Sequence, residues 1–397
     1  MTFTKHLSAS VFLLALLIPS SASAKTPPEV LKAYKAYNSS MQTGDYKSAI
    51  KHAKTAWEQA ESKLGSHSMT GDLAYNYGYV EKNQGDKGKA IKAFVRSIEL
   101  AELNEINPTG LRLEREVELI SSMDGISKNR ALEKQINTAI NFAKSNGMEQ
   151  TVFVGELYVH MANICARRLR AKMSIPRQQL GSLVSTASNK KGIRDGNKKC
   201  AKIAKRAVDI FDSSPQDTRP AYVANANNYV GYGLEVSKSW LEAALSYQKA
   251  RNAIEDTYPR DHPLMARTIG RWMNARNFLK RNRRLDYAES NGLCKCWPYS
   301  GAESQVEVIK WVKPDFPAQA YNRSSGYAIV QLDVNDEGAP YNIKIMNSWP
   351  GDVYDKSALD AAKQLEFSVK TVAEPSNYRK DVIIPFNYFL SVGLEPI

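Results

Sequence analysis

The spacing of apolar residues divides the chain into a long helical part and a short strand-rich part. Val30, Tyr34 and Tyr37 begin a pattern in which apolar positions recur every three or four residues as far as Leu293. That spacing is typical of helices that bury one face. From Tyr327 to Asn335 apolar and polar residues alternate instead, which predicts a strand with one buried face.

The helical part contains an internal repeat. Gly44-Asp45-Tyr46 is followed by Ala49-Ile50, and forty-one residues later Gly85-Asp86-Lys87 is followed by Ala90-Ile91. A poorer third copy contains Val230-Gly231. These residues resemble the tetratricopeptide repeat, although the spacing exceeds its usual length of about 34 residues. The resemblance implies stacked helical hairpins, with an irregular helical bundle as the alternative.

The periodicity changes across a stretch rich in Gly, Pro and Ser, from Asn291 to Gly301. Such a stretch is typical of a boundary between domains. We therefore expect a signal peptide at 1–24, a tetratricopeptide-like helical domain at 25–290, a linker at 291–303 and a small domain at 304–397.

The small domain has a β-β-α-β pattern. The strand at Tyr327–Asn335 is followed by a hairpin turn at Asn335–Gly338, and a second strand has Tyr341, Ile343 and Ile345 on one face. Val353–Leu365 has helical spacing, and Val382–Leu390 alternates again. The predicted fold class is thus an α-helical solenoid followed by an α+β domain with a three-stranded antiparallel sheet.

Several segments of this domain resemble the C-terminal domain of TonB-like energy transducers. Residues 313–320, Lys-Pro-Asp-Phe-Pro-Ala-Gln-Ala, are similar to the family's Pro-x-Tyr-Pro-x-x-Ala opening, with Phe316 in place of Tyr. The family's glycine-bounded strand is matched by Gly326 and Asp336-Glu337-Gly338. Its helix is similar to residues 358–362, and its closing strand is similar to Val382-Ile-Ile-Pro385-Phe386. The resemblance spans about Val306 to Leu390.

The resemblance implies capture of an extended peptide by strand addition, as when this family meets the TonB box of an outer-membrane receptor. The binding edge would be the last strand, with the opening segment close by. Pro385 lacks an N–H, which suits an edge strand. The residues expected at this edge are Lys313, Asp315, Phe316, Gln319, Arg379, Asp381, Ile383, Pro385, Asn387 and Phe389.

The N-terminal part departs from the family pattern. TonB-like transducers carry a membrane anchor and a long Pro-rich spacer, whereas this sequence has a signal-like segment and helical repeats. We therefore expect a periplasmic adaptor in TonB-dependent transport, with an outer-membrane receptor or inner-membrane transport machinery as protein partners. The alternative is an envelope scaffold whose TonB-like domain binds another protein or the cell wall.

The first 24 residues have the order of a secretory signal peptide. Lys5 precedes an apolar run from Val11 to Ile18, and the small residues Ala22-Ser23-Ala24 follow. The run is shorter than the roughly 20 residues that a membrane-spanning helix requires. We expect cleavage after Ala24 and a soluble periplasmic protein, and an uncleaved anchor is the alternative.

The four cysteines are compatible with two disulfides in an exported protein. Of the three possible pairings we favour Cys165 with Cys200 and Cys294 with Cys296, since each pair is close in sequence. One close pair without matching ligands is poor evidence for structural zinc. The five histidines are scattered, and no phosphate loop or nucleophile elbow is present, so we expect no enzyme activity, metal or cofactor. The acidic pair Glu114 and Glu116 is expected on a solvated helix face.

Positive charge is concentrated in the helical part. The formal net charge is +13, whereas 9 Lys and Arg against 13 Asp and Glu make the segment from Glu303 onward acidic. In an exported protein a basic patch fits an anionic envelope surface or an acidic protein better than nucleic acid, and a solvated helix face is the simpler alternative. The patch consists of Arg267, Arg271, Lys280, Arg281, Arg283 and Arg284.

Overall fold

The computed structural model describes residues 26–104, 110–173, 186–258, 262–294, 306–317, 325–349, 351–369, 380 and 382–389. The predicted signal peptide lies outside the described residues. The chain divides into two compact units between His160 and Met161. In the described part, no helix has the length and apolar character needed to cross a membrane.

The first unit is a series of helices in which each packs against the next. The predicted Gly-Asp turns separate them: Gly44 ends one helix with φ +72°, and the Asp45 carboxylate caps the next by accepting from the Ser48 N–H at 3.1 Å. The helices are α1 (Pro28–Thr43), α2 (Tyr46–Leu64), α3 (Ser68–Gln84), α4 (Lys87–Leu103), α5 (Gly110–Met123) and α6 (Asn129–Ser145).

The second Gly-Asp turn works differently. Asp86 caps α4, but Gly85 has a φ of −128°. A Cβ at Gly85 would lie 2.0 Å from the Glu81 carboxylate, because that carboxylate folds back to accept from the Asp86 N–H at 2.7 Å. Glycine is therefore required at position 85 because the Glu81 side chain approaches its backbone, and not because the backbone is left-handed.

Helix α7 (Val152–Met173) is followed by the helices of the second unit, which pack around a core that contains Trp272, Tyr247 and Leu279. A disulfide joins Cys165 of α7 to Cys200 of α8. The remaining helices are α8 (Thr186–Ser213), α9 (Pro220–Val236), α10 (Trp240–Asn252), α11 (Pro263–Arg281) and α12 (Leu285–Ser290), with a short 3₁₀ turn at Pro215–Asp217.

Two helical hairpins are built alike, as the repeat predicts. A Cβ on Gly78 of α3 would lie 3.0 Å from the Phe94 ring of α4, and one on Gly231 of α9 would lie 2.6 Å from the Tyr247 ring of α10. In both hairpins a glycine lets the aromatic ring of the following helix approach the backbone. The same contact at the same spacing supports a common repeat unit.

The C-terminal part contains the predicted three-stranded antiparallel sheet, so the predicted fold class is confirmed. The sheet has the order β3-β2-β5. Gly338 turns the hairpin with φ +81°, and the Asn335 side chain accepts from the Ala339 N–H at 2.7 Å. The elements are β1 (Val306–Lys310), β2 (Ser325–Val334), β3 (Pro340–Trp349), a 3₁₀ turn (Gly351–Tyr354), α13 (Asp355–Ala362), β4 (Glu366–Val369) and β5 (Val382–Phe389).

Two features of this part were not predicted. Strands β1 and β4 form a separate two-stranded antiparallel ribbon, which is tied to the hairpin because the Phe367 N–H donates to the Gly338 carbonyl at 2.9 Å. In addition, the two faces of the sheet have different partners. Ala328 and Val330 face α13, whereas Ile329 is only 1% exposed and belongs to the helical core around Trp272.

The expected solvated position of Glu114 and Glu116 is wrong. Glu116 is 2% exposed and accepts from Gln135 Nε2 at 2.7 Å, and Glu114 accepts from the Tyr75 hydroxyl at 2.8 Å. Burial raises the pKa of Glu116, because water no longer solvates its charge. The error arose because polar residues that bond to a neighbouring helix look the same in sequence as solvated ones.

Candidate peptide-binding edge

Strand β5 lies at the margin of the three-stranded sheet. It pairs with β2 without any register shift, from Ser325 opposite Phe389 to Leu332 opposite Val382. Within the described ranges, no strand pairs with its other edge. Pro385 is therefore in an edge strand, where a missing N–H is tolerated.

The opposite margin of the sheet, β3, is less regular. Its register against β2 shifts twice, between Ile329 and Val330 and between Gln331 and Asp333. Asn342 has a φ of +49°, which departs from extended backbone. Because strand addition requires an evenly spaced row of N–H and C=O groups, β5 offers the better template.

The inward side of β5 is fixed in the core. Phe386 is fully buried, and the Tyr388 ring stacks on Tyr354 with centroids 4.2 Å apart. The Tyr388 hydroxyl lies 3.3 Å from the Tyr354 carbonyl, to which it donates, and 3.2 Å from Ser357 Oγ. Burial raises the pKa of Tyr388 to about 12, so this phenol stays protonated at neutral pH. These contacts anchor β5 to Tyr354 and to Ser357 of α13.

The structure describes only part of the predicted edge. Ile383, Pro385, Asn387 and Phe389 alternate along the β5 backbone with the buried residues, and their side chains are not described. Gln319, Arg379 and Asp381 lie outside the described residues.

The described part of the opening segment, residues 313–317, lies beside β5, as the resemblance implies. Phe316 is half-buried, with its ring 6.3 Å from the Tyr388 ring and 5.9 Å from the Tyr354 ring. Ser357 Oγ donates to the Asp315 carbonyl and ties the segment to α13. Phe316 thus packs with the core of the domain, and the exposed side chains of the segment include Lys313 and Asp315.

A groove of about 560 Å³ separates this segment from α13. Lys313 and Asp315 line one side, and Asp352, Lys356 and Asp360 line the other. Charges of both signs alternate along it, so the groove favours neither an anionic nor a cationic ligand. Ser357 also lines the groove, and its Oγ lies 3.2 Å from the Tyr388 hydroxyl, so the groove lies near the end of β5.

The predicted basic patch divides into two parts. Arg267 Nη2 donates to Asn225 Oδ1 at 2.8 Å, and Arg271 lies over the Tyr232 ring at 4.9 Å, so both face helix α9. Arg283 and Arg284 are exposed beyond the end of α11. The side chains of Lys280 and Arg281 are outside the described part.

The remaining candidates for chemistry give no reactive constellation in the described residues. The structure joins Cys165 to Cys200, and Cys294 is also disulfide-bonded, while Cys296 lies outside the described residues. No group of His, Cys, Asp and Glu side chains that could hold a metal ion occurs among the described residues.

The comparison with protein families agrees with the resemblance. Residues 312–390 match the family of the Gram-negative bacterial TonB protein C-terminal. The matched segment contains the opening segment, the three-stranded sheet, α13, β4 and the candidate edge strand. The predicted kinship of this domain with the TonB C-terminal family is therefore confirmed.

No curated protein matches the chain. Among solved structures, the MamA protein is similar at 14% identity and a TM-score of 0.35, covering 57% of this chain and 92% of that one. BtubC (BKLC) from P. vanneervenii is similar at 13% identity and a TM-score of 0.40, covering 69% and 95%. A Rap protein complexed with competence and sporulation factor is similar at 11% identity and a TM-score of 0.39, covering 66% and 67%. Likenesses this remote add nothing to the description of the fold.

Proposed function

We propose that this protein is a periplasmic, non-enzymatic adaptor in TonB-dependent transport. Its C-terminal domain captures an extended peptide, such as the TonB box of an outer-membrane receptor, along the outer edge of β5. The helical repeats bind a second protein, for which inner-membrane transport machinery is a suitable class. The observation that carries the proposal is the regular register of β5 on a sheet margin without a strand partner among the described residues.

The physical basis is backbone hydrogen bonding. An edge strand presents N–H and C=O groups that an incoming extended chain pairs with, while its side chains supply the selectivity. Phe386 and Tyr388 keep β5 in place, so binding does not have to order the strand first. Pro385 removes one possible donor, and the captured peptide therefore needs strong pairing on both sides of that position.

The domain match supports a TonB-type role for this part of the chain. The family model covers the whole candidate edge, from Val382 to Phe389, together with the opening segment beside it.

The proposal is tested by calorimetric titration of the full mature chain with a synthetic TonB-box peptide and two N-methylated versions of it. Each version carries methyl groups on one of the two alternating sets of backbone nitrogens. In a two-strand pair only one set faces the partner. We expect one methylated peptide to lose binding and the other to bind like the parent. Equal binding by all three peptides, or no binding by the parent, would overturn peptide capture by strand addition.

A further inference from the structure

Two helix ends in the second unit carry a cation in the left-handed backbone region. Lys238 follows α9 with φ +66°, and Arg283 follows α11 with φ +54°. Each turn is closed by a backbone hydrogen bond between residues five positions apart. The Ser239 N–H donates to Leu234 O, and the Arg284 N–H donates to Leu279 O, both at 2.9 Å. In this type of helix end the left-handed residue is usually glycine, since a Cβ is strained there.

Elsewhere the same chain uses glycine for the same turn. Gly44 and Gly147 have positive φ, and the residues after them donate to Ser40 O and Ala143 O at 2.9 and 2.8 Å. Gly292 is a third case, with a bond of 3.0 Å from Leu293 to Ala288. The turn geometry therefore does not call for Lys238 or Arg283, and their side chains require another explanation.

Both turns lie at the same end of the helical layer. Trp240, the first residue of α10, stacks on Phe278 in the last turn of α11, with ring centroids 4.0 Å apart and planes inclined by 18°. We call the surface around this stack the basic tip. It consists of Lys238, Trp240, Phe278, Arg283, Arg284 and Tyr287.

The basic tip combines free positive charge with exposed aromatic surface. Phe278 is 38% and Tyr287 57% exposed. In the part of the chain that the structure describes, Lys238, Arg283 and Arg284 are exposed and none forms an ion pair. The sequence from residue 280 to 284 is Lys-Arg-Asn-Arg-Arg, which places four cations in five positions.

The nearby acidic residues have local roles. Glu242 and Asp286 lie in the first turns of α10 and α12, where a carboxylate stabilises the positive end of the helix dipole. They leave a net positive charge at the tip.

We propose that the basic tip docks on the surface of an anionic lipid bilayer. Aromatic rings favour the interface between headgroups and hydrocarbon, and Lys and Arg beside them bind the phosphate groups. Lys238 lies two residues before Trp240 and Arg283 five residues after Phe278, so each cation follows a helix end next to the stack. This proposal does not depend on peptide capture by β5, which lies in a different part of the second unit.

A simpler explanation is that Lys238 and Arg283 stabilise the negative ends of α9 and α11. The two explanations differ in what a glycine would do. If the cations serve the helices, Lys238→Gly and Arg283→Gly lower the melting temperature and leave lipid binding unchanged. If they serve lipid binding, glycine relieves strain, so the melting temperature stays or rises while binding weakens.

The test is sedimentation of the full chain with vesicles of phosphatidylcholine alone and of phosphatidylcholine with phosphatidylglycerol. We expect binding to the anionic vesicles only, weakened about fivefold by each of Lys238→Gly and Arg283→Gly. Tyr287→Ser keeps the charge and should weaken binding as well. Asn342→Gly relieves a positive φ without removing charge, and serves as the matched control that binds normally.

Three results would overturn the proposal. One is equal binding to both kinds of vesicle, and another is unchanged binding by the variant with both glycines. The third is binding of soluble polyphosphate without any binding of vesicles, which would make the partner a different polyanion.

Discussion

Ile329 of β2 lies opposite Pro385 of β5, and its side chain is buried in the helical core of the second unit. Helix α11 contacts both β3 and β5. The strand that pairs with the candidate edge is therefore held from two sides, by α13 on one face and by the helices on the other. The candidate edge strand therefore pairs with a strand that is packed on both faces.

This burial predicts the effect of shortening Ile329. Ile329→Ala should lower the free energy of unfolding by about 2–5 kcal/mol, since it removes methylene groups from a filled core and leaves a cavity. Ile309→Ala is the matched control, because that side chain is 64% exposed, and it should change stability by less than about 0.5 kcal/mol. Chemical denaturation measures both. Equal effects of the two substitutions would show that Ile329 does not join the sheet to the helices.

The close approach of Gly231 to the Tyr247 ring predicts the outcome of adding one methyl group. Gly231→Ala should destabilise the protein by about 1–3 kcal/mol, because the new Cβ would lie 2.6 Å from that ring. Gly192→Ala in α8 meets no atom within 4 Å and should stabilise by about 0.5–1 kcal/mol. Thermal unfolding of the two variants tests the pair. A tolerated Gly231→Ala would contradict the proposed packing of the repeat.

Two carboxylates of the first unit should respond to pH in opposite directions. Burial raises the pKa of Glu116, so ionisation of this carboxyl opposes folding. The folded protein is therefore not penalised by Glu116 below about pH 4.5, and it loses stability as the pH rises and the carboxyl ionises. The Arg96 guanidinium, hydrogen-bonded to Glu61 at 2.7 Å, lowers the pKa of that carboxyl, so its stabilising effect is lost on acidification.

Glu116→Gln should therefore stabilise the protein at pH 7 more than at pH 4. Glu61→Gln should destabilise it at pH 7 and have a smaller effect at pH 4. Denaturant unfolding at the two pH values gives the sign of each effect. The same sign for both variants would contradict the assigned environments.

The disulfide between α7 and α8 closes a loop of sequence separation 35. Replacing both Cys165 and Cys200 by Ser should lower the free energy of unfolding by about 3–4 kcal/mol, mainly because the unfolded chain gains freedom. Equilibrium unfolding without reductant measures the loss. Wild-type stability in the double variant would show that the bond does not constrain the unfolded chain.

The sequence predicts those features that depend on neighbouring residues. The hairpin at Gly338, the alternation of β2 and β5, and the Gly44-Asp45 turn each follow from residues within one element and its flanks. Features that depend on distant contacts were missed. Ile329 looks like a solvated position when only one face of the strand is considered, and Glu116 looks solvated until Gln135 is placed beside it.

The same limit applies to the candidate site. Pro385 signals an edge strand through its missing N–H, and the structure places β5 at an edge. Phe316 occupies the position of the Tyr in the family's opening motif, but nothing in the sequence indicates that its ring packs near Tyr388. Arg267 and Arg283 look equivalent in the sequence, and only the position of α9 separates the half-buried arginine from the exposed one.

Amide hydrogen exchange of the full chain, measured with and without a TonB-box peptide, tests peptide capture at β5. If the peptide adds to the sheet at β5, alternate amides between Val382 and Phe389 should exchange more slowly when it is bound, while the amides of β3 keep their rates. Slower exchange confined to β3, or peptide binding that leaves the β5 amides unchanged, would contradict strand addition at β5.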